Sequence, residues 1–275
     1  MLEFLKIIII GIVEGITEWL PVSSTGHMLI LESVLAPAQS AEFMDMFRTV
    51  IQLGAICAVI VHFFNRLWPF RFKAMKKEGG AFYDKDKFIF WSKIIISCLP
   101  GIIIGLPLDD FVDAKLYNPW VIAAMLIIYG IGFIIVENMN RQKPHILRAE
   151  AIGYKEAFII GMAQLLALIP GTSRSGVTII AGLLIGLSRR AAIEYTFFLA
   201  VPVMLGTSAI ALLKFGSFSG LEFLYLFVGM ATAFIVSLFV IKQVLKFIRT
   251  HSFKVFGYYR IFLGIIIIIY FLIKR

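Results

Sequence analysis

Apolar residues in this chain run in long blocks separated by short polar stretches, a pattern set by lipid rather than by water. Each block approaches the roughly 20 residues that an α-helix needs to cross a hydrocarbon layer about 30 Å thick. Six spans are predicted, at about 43–64, 88–107, 119–137, 195–213, 223–241 and 257–273. Two further apolar segments do not fit. Residues 4–36 are interrupted by Pro21-Val22-Ser23-Ser24-Thr25-Gly26-His27, and residues 158–187 by Pro170-Gly171-Thr172-Ser173-Arg174-Ser175-Gly176. Proline and glycine break helices, and backbone groups freed at membrane depth persist only where protein or water satisfies them. Both segments are expected to be re-entrant helical hairpins. The expected fold is an all-α integral membrane protein, a single membrane domain over residues 1–275, with about six transmembrane helices plus two re-entrant hairpins.

The interrupted segments resemble each other. Gly11, Glu14, Ser23, Thr25 and Gly26 run parallel to Gly161, Gln164, Ser173, Ser175 and Gly176, and Glu42, Gly54 and Phe63 to Glu194, Gly206 and Phe215. Each half, about 1–137 and 158–273, holds one hairpin and an odd number of crossings, so the second half is expected to be inverted. The hairpins would then enter from opposite faces and meet at their broken tips, as in inverted-repeat transporters.

Composition sharpens this. Hydrophobic residues make up 60% of the chain and charged residues only 16%, too few to coat a soluble domain of this length. The net charge of +9 does not point to nucleic acid. Lys and Arg gather at 66–87, 141–155, 189–190 and 242–254, the pattern of cytoplasmic connections, which places both termini outside. Lys274 and Arg275 run weakly against it. The N-terminal stretch carries Glu3, Glu14 and Glu18 and no small-residue cleavage pattern, so it reads as part of the mature fold. Cys57 and Cys98 lie in apolar runs without metal-ligand spacing and are expected to pack without a disulfide.

The chemistry-bearing residues sit in the two interruptions. Glu14 and Glu18 are four apart and share a helix face. Two ionised carboxylates in a low dielectric repel, so the pair calls for a proton or a hard divalent cation such as Mg²⁺ or Ca²⁺. The plain alternative is two acids at a wet helix end. Ser23, Ser24 and Thr25 precede His27, offering a nucleophile–base pair if folding brings hydroxyl and imidazole together; otherwise such hydroxyls cap the next helix. In the second interruption, Arg174 is a guanidinium among apolar stretches and needs an anionic partner. Ser173, Ser175, Thr178, glycine-rich backbone and a helix start around it suit a phosphate. A structural ion pair to Glu14 or Glu18 is the simpler reading, and it does not exclude phosphate binding.

Residues 14–27 and 170–178 closely resemble the two signatures of the undecaprenyl-diphosphate phosphatase family, also called the bacitracin-resistance protein family. Val50-Ile51-Gln52-Leu53-Gly54 and Ala200-Val201-Pro202 are similar to it as well, although Arg48 stands where an acidic residue is expected. The resemblance implies hydrolysis of undecaprenyl diphosphate to undecaprenyl phosphate and inorganic phosphate at the outer face of the bacterial inner membrane. That regenerates a lipid carrier for wall polymers such as peptidoglycan and confers bacitracin resistance. It further implies a divalent cation on Glu14 and Glu18, Ser24 as nucleophile, His27 as acid/base, and Arg174 with Ser173 and Thr178 as phosphate clamp. A phosphoseryl intermediate and direct attack by water both stay open. Expected partners are the polyprenyl diphosphate, membrane lipid and, as a candidate, a second copy of the chain. Competing readings are a lipid-carrier flippase, alone or combined with hydrolysis, and an intramembrane Ser–His hydrolase of peptides or esters.

Overall fold

The computed structural model describes residues 1–70, 83–139 and 144–274. The middle of the basic run 66–87, the Arg141 end of the run 141–155, and Arg275 lie outside the described residues. Among those described, six helical stretches are long and apolar enough to cross a membrane: Ala41–His62, Lys85–Leu108, Pro119–Met139, Arg189–Phe215, Gly220–Phe247 and Lys254–Ile273. They match the six predicted spans, and the protein is a multi-pass membrane protein.

In chain order the α-helices are α1 (Leu2–Thr17), α2 (Ser24–Leu35), α3 (Ala41–Val50), α4 (Gln52–His62), α5 (Phe64–Leu67), α6 (Lys85–Pro100), α7 (Leu106–Leu116), α8 (Pro119–Met139), α9 (Tyr154–Gln164), α10 (Arg174–Leu184), α11 (Arg189–Phe215), α12 (Gly220–Phe247) and α13 (Lys254–Ile273). The first span is α3 and α4 joined at Ile51. A π-helical segment, Gly101–Gly105, follows Pro100 and links α6 to α7, accommodating a residue without an N–H.

Both interrupted segments fold as helix, break, helix, with α1 packed on α2 and α9 on α10. The breaks share a feature that the sequence only hinted at. Ser23 and Ser173 both have positive φ, +70° and +72°, immediately before α2 and α10. Non-glycine residues seldom adopt that region, and these two occupy corresponding positions in the similar segments.

Packing between the halves is reciprocal. Helix α1 lies against α12, and α9 against α6. Close approach depends on small residues: a Cβ at Gly11 would stand 2.9 Å from the Gly229 carbonyl oxygen, and one at Gly161 2.8 Å from Ser97 Cα. A serine on each partner seals the contact, Ser237 Oγ donating to Gly15 O at 3.2 Å and Ser97 Oγ to Ala157 O at 2.6 Å. Helices α8 and α13 cross with glycine on both sides, Gly130 against Gly257. Such contacts bind helices in lipid, where apolar burial alone gives little preference for protein over solvent.

The ends carrying Arg66, Glu137, Arg189 and Glu194 are laced by ion pairs. Glu194, buried, bridges Arg66 and Arg190 at 2.8 Å each. Glu137, also buried, takes Arg189 in a two-pronged contact (2.9 and 2.6 Å) and the Phe253 amide at 2.9 Å, joining α8, α11 and α13. At the opposite end Arg48 pairs with Glu32 at 2.6 Å and with Asp45.

Candidate active site

The two breaks converge. Helix α1 ends at Thr17, and Glu18 keeps helical angles, so its carboxylate stays on the Glu14 face as the spacing predicts. Pro21 then turns the chain, Ser23 takes its left-handed conformation, and α2 starts at Ser24. The Ser23 side chain does not cap α2: no side-chain acceptor meets the first turn, and Ser23 Oγ is buried without a partner. The second break differs, for Ser173 Oγ accepts the Gly176 amide at 3.2 Å and caps α10.

Glu18 is the hinge of the site. One carboxylate oxygen accepts Arg174 Nη2 at 2.8 Å and the other accepts Ser24 Oγ at 3.1 Å. The ion pair foreseen as the simpler reading is therefore present, with Glu18 as the partner, and it joins residues 156 positions apart. Around it lies a cavity of about 190 Å³ lined by Glu18, Ser23, Ser24, Thr25, Ser173, Arg174 and Ser175 from the breaks, facing Gln52 and Thr207 from α4 and α11. Ser175 Oγ lies 3.2 Å from Ser173 Oγ and 3.4 Å from Leu20 O, which ties the second break to the first. A chamber with hydroxyls and a guanidinium is chemically suited to a phosphate.

Three expected site residues are not part of the cavity lining. Thr178 is buried away from the cavity; its hydroxyl lies 2.9 Å from Arg174 O and 2.8 Å from Thr196 Oγ1, so it braces α10 on α11. The reason is spacing, since a threonine one turn beyond Arg174 turns its hydroxyl back on that carbonyl. His27 does not meet Ser24. Its Nδ1 lies 2.7 Å from Ser23 O and its Nε2 2.7 Å from the Tyr259 hydroxyl, with the two rings stacked. A neutral ring donating to the carbonyl must accept from Tyr259. Glu14 is buried one turn behind Glu18, and its Oε1 has no hydrogen-bond partner.

Oxygen donors of this kind suit a hard divalent cation. Glu14 and Glu18 offer two carboxylates, and among the described residues no group of three or more His, Cys, Asp or Glu converges. Two carboxylates, with Glu14 Oε1 partnerless, are a chemically suitable but partial donor set for such an ion.

Four residues of this region were given no role by the sequence reading. Gln52 and Thr207 face the cavity from predicted spans; Gln52 lies in the family-like stretch 50–54, and Thr207 has nothing in its surroundings to distinguish it. Tyr259 holds His27. Arg260, beside it on α13, is fully buried and donates to four backbone carbonyls, Pro21 O (3.3 Å), Gly171 O (2.9 Å), Thr172 O (2.9 Å) and Met125 O (3.4 Å). A guanidinium inside an apolar run was the available signal for it.

Known proteins match the chain over nearly its whole length. Residues 7–266 match the family described as bacitracin resistance protein BacA. The undecaprenyl-diphosphatase of Enterococcus faecalis is 54% identical over 270 residues, 98% of this chain and 97% of that protein. Those of Lachnoclostridium phytofermentans and Acetivibrio thermocellus are 53% and 51% identical, each over all of this chain and 99% or more of the relative.

Proposed function

The chain belongs to the bacitracin resistance protein BacA family, and from that premise we propose that it hydrolyses undecaprenyl diphosphate to undecaprenyl phosphate and inorganic phosphate. The observation that carries the reading is the Glu18 carboxylate, shared between Ser24 of one break and Arg174 of the other. Hydrolysis breaks the anhydride P–O bond. The terminal phosphorus takes a new oxygen, and undecaprenyl phosphate leaves with the bonding electron pair. Phosphoryl transfer calls mainly for charge neutralisation and alignment. Arg174 supplies fixed positive charge, Ser173, Ser175 and Thr25 supply donors, and Ser24, or a water beside it, supplies the attacking oxygen.

Glu14 and Glu18 are the proposed ligands of a divalent cation, Mg²⁺ or Ca²⁺; the support is the partnerless Glu14 Oε1 and the hard donor set. Such an ion, when bound, neutralises charge on phosphoryl oxygens. Release of Glu18 from Arg174 would then free the guanidinium for phosphate. His27 is proposed as acid/base once Nε2 exchanges Tyr259 for a water or phosphate oxygen.

We also propose that the halves form an inverted repeat. Reciprocal packing and the paired positive-φ serines support it, and the breaks would then be tips of hairpins entering from opposite faces. The location proposed is the bacterial inner membrane, with the cavity opening outward and the basic connections in the cytoplasm. Recycling of the carrier for wall polymers, and bacitracin resistance, follow from the activity. A homodimer is proposed as a state of the protein that the activity does not require. The flippase reading is not favoured, since the relatives are named diphosphatases.

The test is phosphate release by the purified chain in detergent, with and without EDTA. Release without two compartments cannot be transport, and EDTA sensitivity separates this chemistry from a Ser–His peptidase. No release from undecaprenyl diphosphate at any divalent concentration would refute the reading.

A further inference from the structure

We infer that Arg260 is a positioning residue that holds the two breaks at the spacing the reaction needs. The inference rests on the phosphatase reading. Arg260 stands in the apolar helix α13, fully buried, and among the described residues no carboxylate pairs with it. A guanidinium so placed needs acceptors. Among the described residues its Nε is left without a partner, while Nη1 and Nη2 find theirs in backbone carbonyls. Three belong to the breaks: Pro21 O, Gly171 O and Thr172 O, at 3.3, 2.9 and 2.9 Å. Met125 O of α8 lies at 3.4 Å, and the Tyr129 ring 5.9 Å from the guanidinium carbon.

Where those carbonyls lie is informative. Pro21 and Gly171 are three residues ahead of Ser24 and Arg174, the first residues of α2 and α10. They occupy the same place in the two similar segments, so one planar fork grips equivalent backbone points of both halves. A side-chain partner would fix only a side chain. A carbonyl partner fixes the path of the main chain, and through it the start of each following helix. The second break also leaves room for this contact: a Cβ at Gly176 would sit 3.2 Å from Arg260 Nη1. Arg260 has no place in the cavity lining, so it acts through Ser24, Glu18 and Arg174.

The experiment measures kcat and KM for phosphate release, together with thermal melting, for the full chain and for Arg260→Met, Arg260→Lys and Arg260→Gln in detergent. Displacing reacting groups by about 1 Å costs on the order of 100-fold in rate. Arg260→Met should therefore melt within a few degrees of the parent and lose about 10- to 100-fold in kcat, with KM changed less than about threefold. Arg260→Lys, which keeps charge and some donors, should recover part of that loss. Parental kcat in a folded Arg260→Met protein overturns the inference, as does a rise in KM at constant kcat. A loss of activity that only tracks a lowered melt, without recovery by Lys, assigns Arg260 to folding and overturns it too. If Arg260→Met does not fold, the Lys and Gln variants decide by the same criteria, and failure of all three to fold overturns the inference. A parent protein that releases no phosphate removes the phosphatase reading and this inference together; an active parent with an equally active Met variant removes only the latter.

Discussion

At the residue scale the proposed chemistry turns on Glu18. Its two oxygens are divided between a guanidinium and a hydroxyl, and each contact is open to a different test. Arg174→Ala should abolish phosphate release while thermal melting stays near the parent; a folded variant that still turns over takes Arg174 out of the mechanism. Glu18→Gln keeps the shape and loses the charge, so the metal concentration for half-maximal activity should rise at least about tenfold. An unchanged metal titration would remove Glu18 from the ligand set. For His27, the Tyr259 bond poses the question directly. Tyr259→Phe keeps the stacked ring and frees Nε2, so kcat should stay within about threefold. His27→Ala should lose on the order of 100-fold, the usual contribution of a general acid or base. Equal losses in the two variants would mean that the hydrogen-bonded pair acts as a unit.

Among elements, stability rests on helix crossings built from small residues. A Cβ at Gly130 would lie 2.7 Å from Gly257 O, and one at Gly15 2.8 Å from Ala233 O. Backbone cannot move aside as a flexible side chain does, so overpacking falls on the whole crossing. Gly130→Val is expected to destabilise by about 1–3 kcal/mol, read as a lower melting temperature in detergent with little change in kcat for the folded fraction. An unaltered melt would show that α8 and α13 are not held by this contact. The breaks follow the opposite logic: Pro21 and Pro170 stop one helix, and a serine with positive φ redirects the chain into the next.

For the whole molecule, the prediction concerns orientation. The connection 216–219 lies at the Phe215 end of α11 and the Gly220 end of α12, opposite the ion pairs at Glu137 and Glu194. In a chain with Cys57 and Cys98 replaced by Ser, a cysteine introduced by Ser217→Cys should react with a membrane-impermeant maleimide on intact cells. One introduced by Ser252→Cys, between α12 and α13, should react only after permeabilisation. The reverse pattern would overturn the proposed orientation and, with it, the outward-facing cavity.

Spans, breaks and the kinds of residue in the candidate site were legible from the sequence, because lipid selects on hydropathy along the chain and because proline set beside glycine and hydroxyl residues breaks a helix, whereas the lone Pro202 stays inside α11. Hence the six predicted stretches appear as helices, and both interruptions appear where Pro21 and Pro170 stand. Which side chains meet was another matter. Arg174 and Glu18 are joined across 156 positions, His27 and Tyr259 across 232, and a linear pattern carries no record of such distances. Thr178 was read into the site from its neighbours, yet the helix turns its hydroxyl onto Arg174 O and Thr196. Arg260 was passed over because its partners are carbonyls, which every residue possesses and no sequence marks. Hydropathy fixes how deep a segment lies; only packing in three dimensions brings particular hydrogen-bonding atoms within about 3 Å of each other.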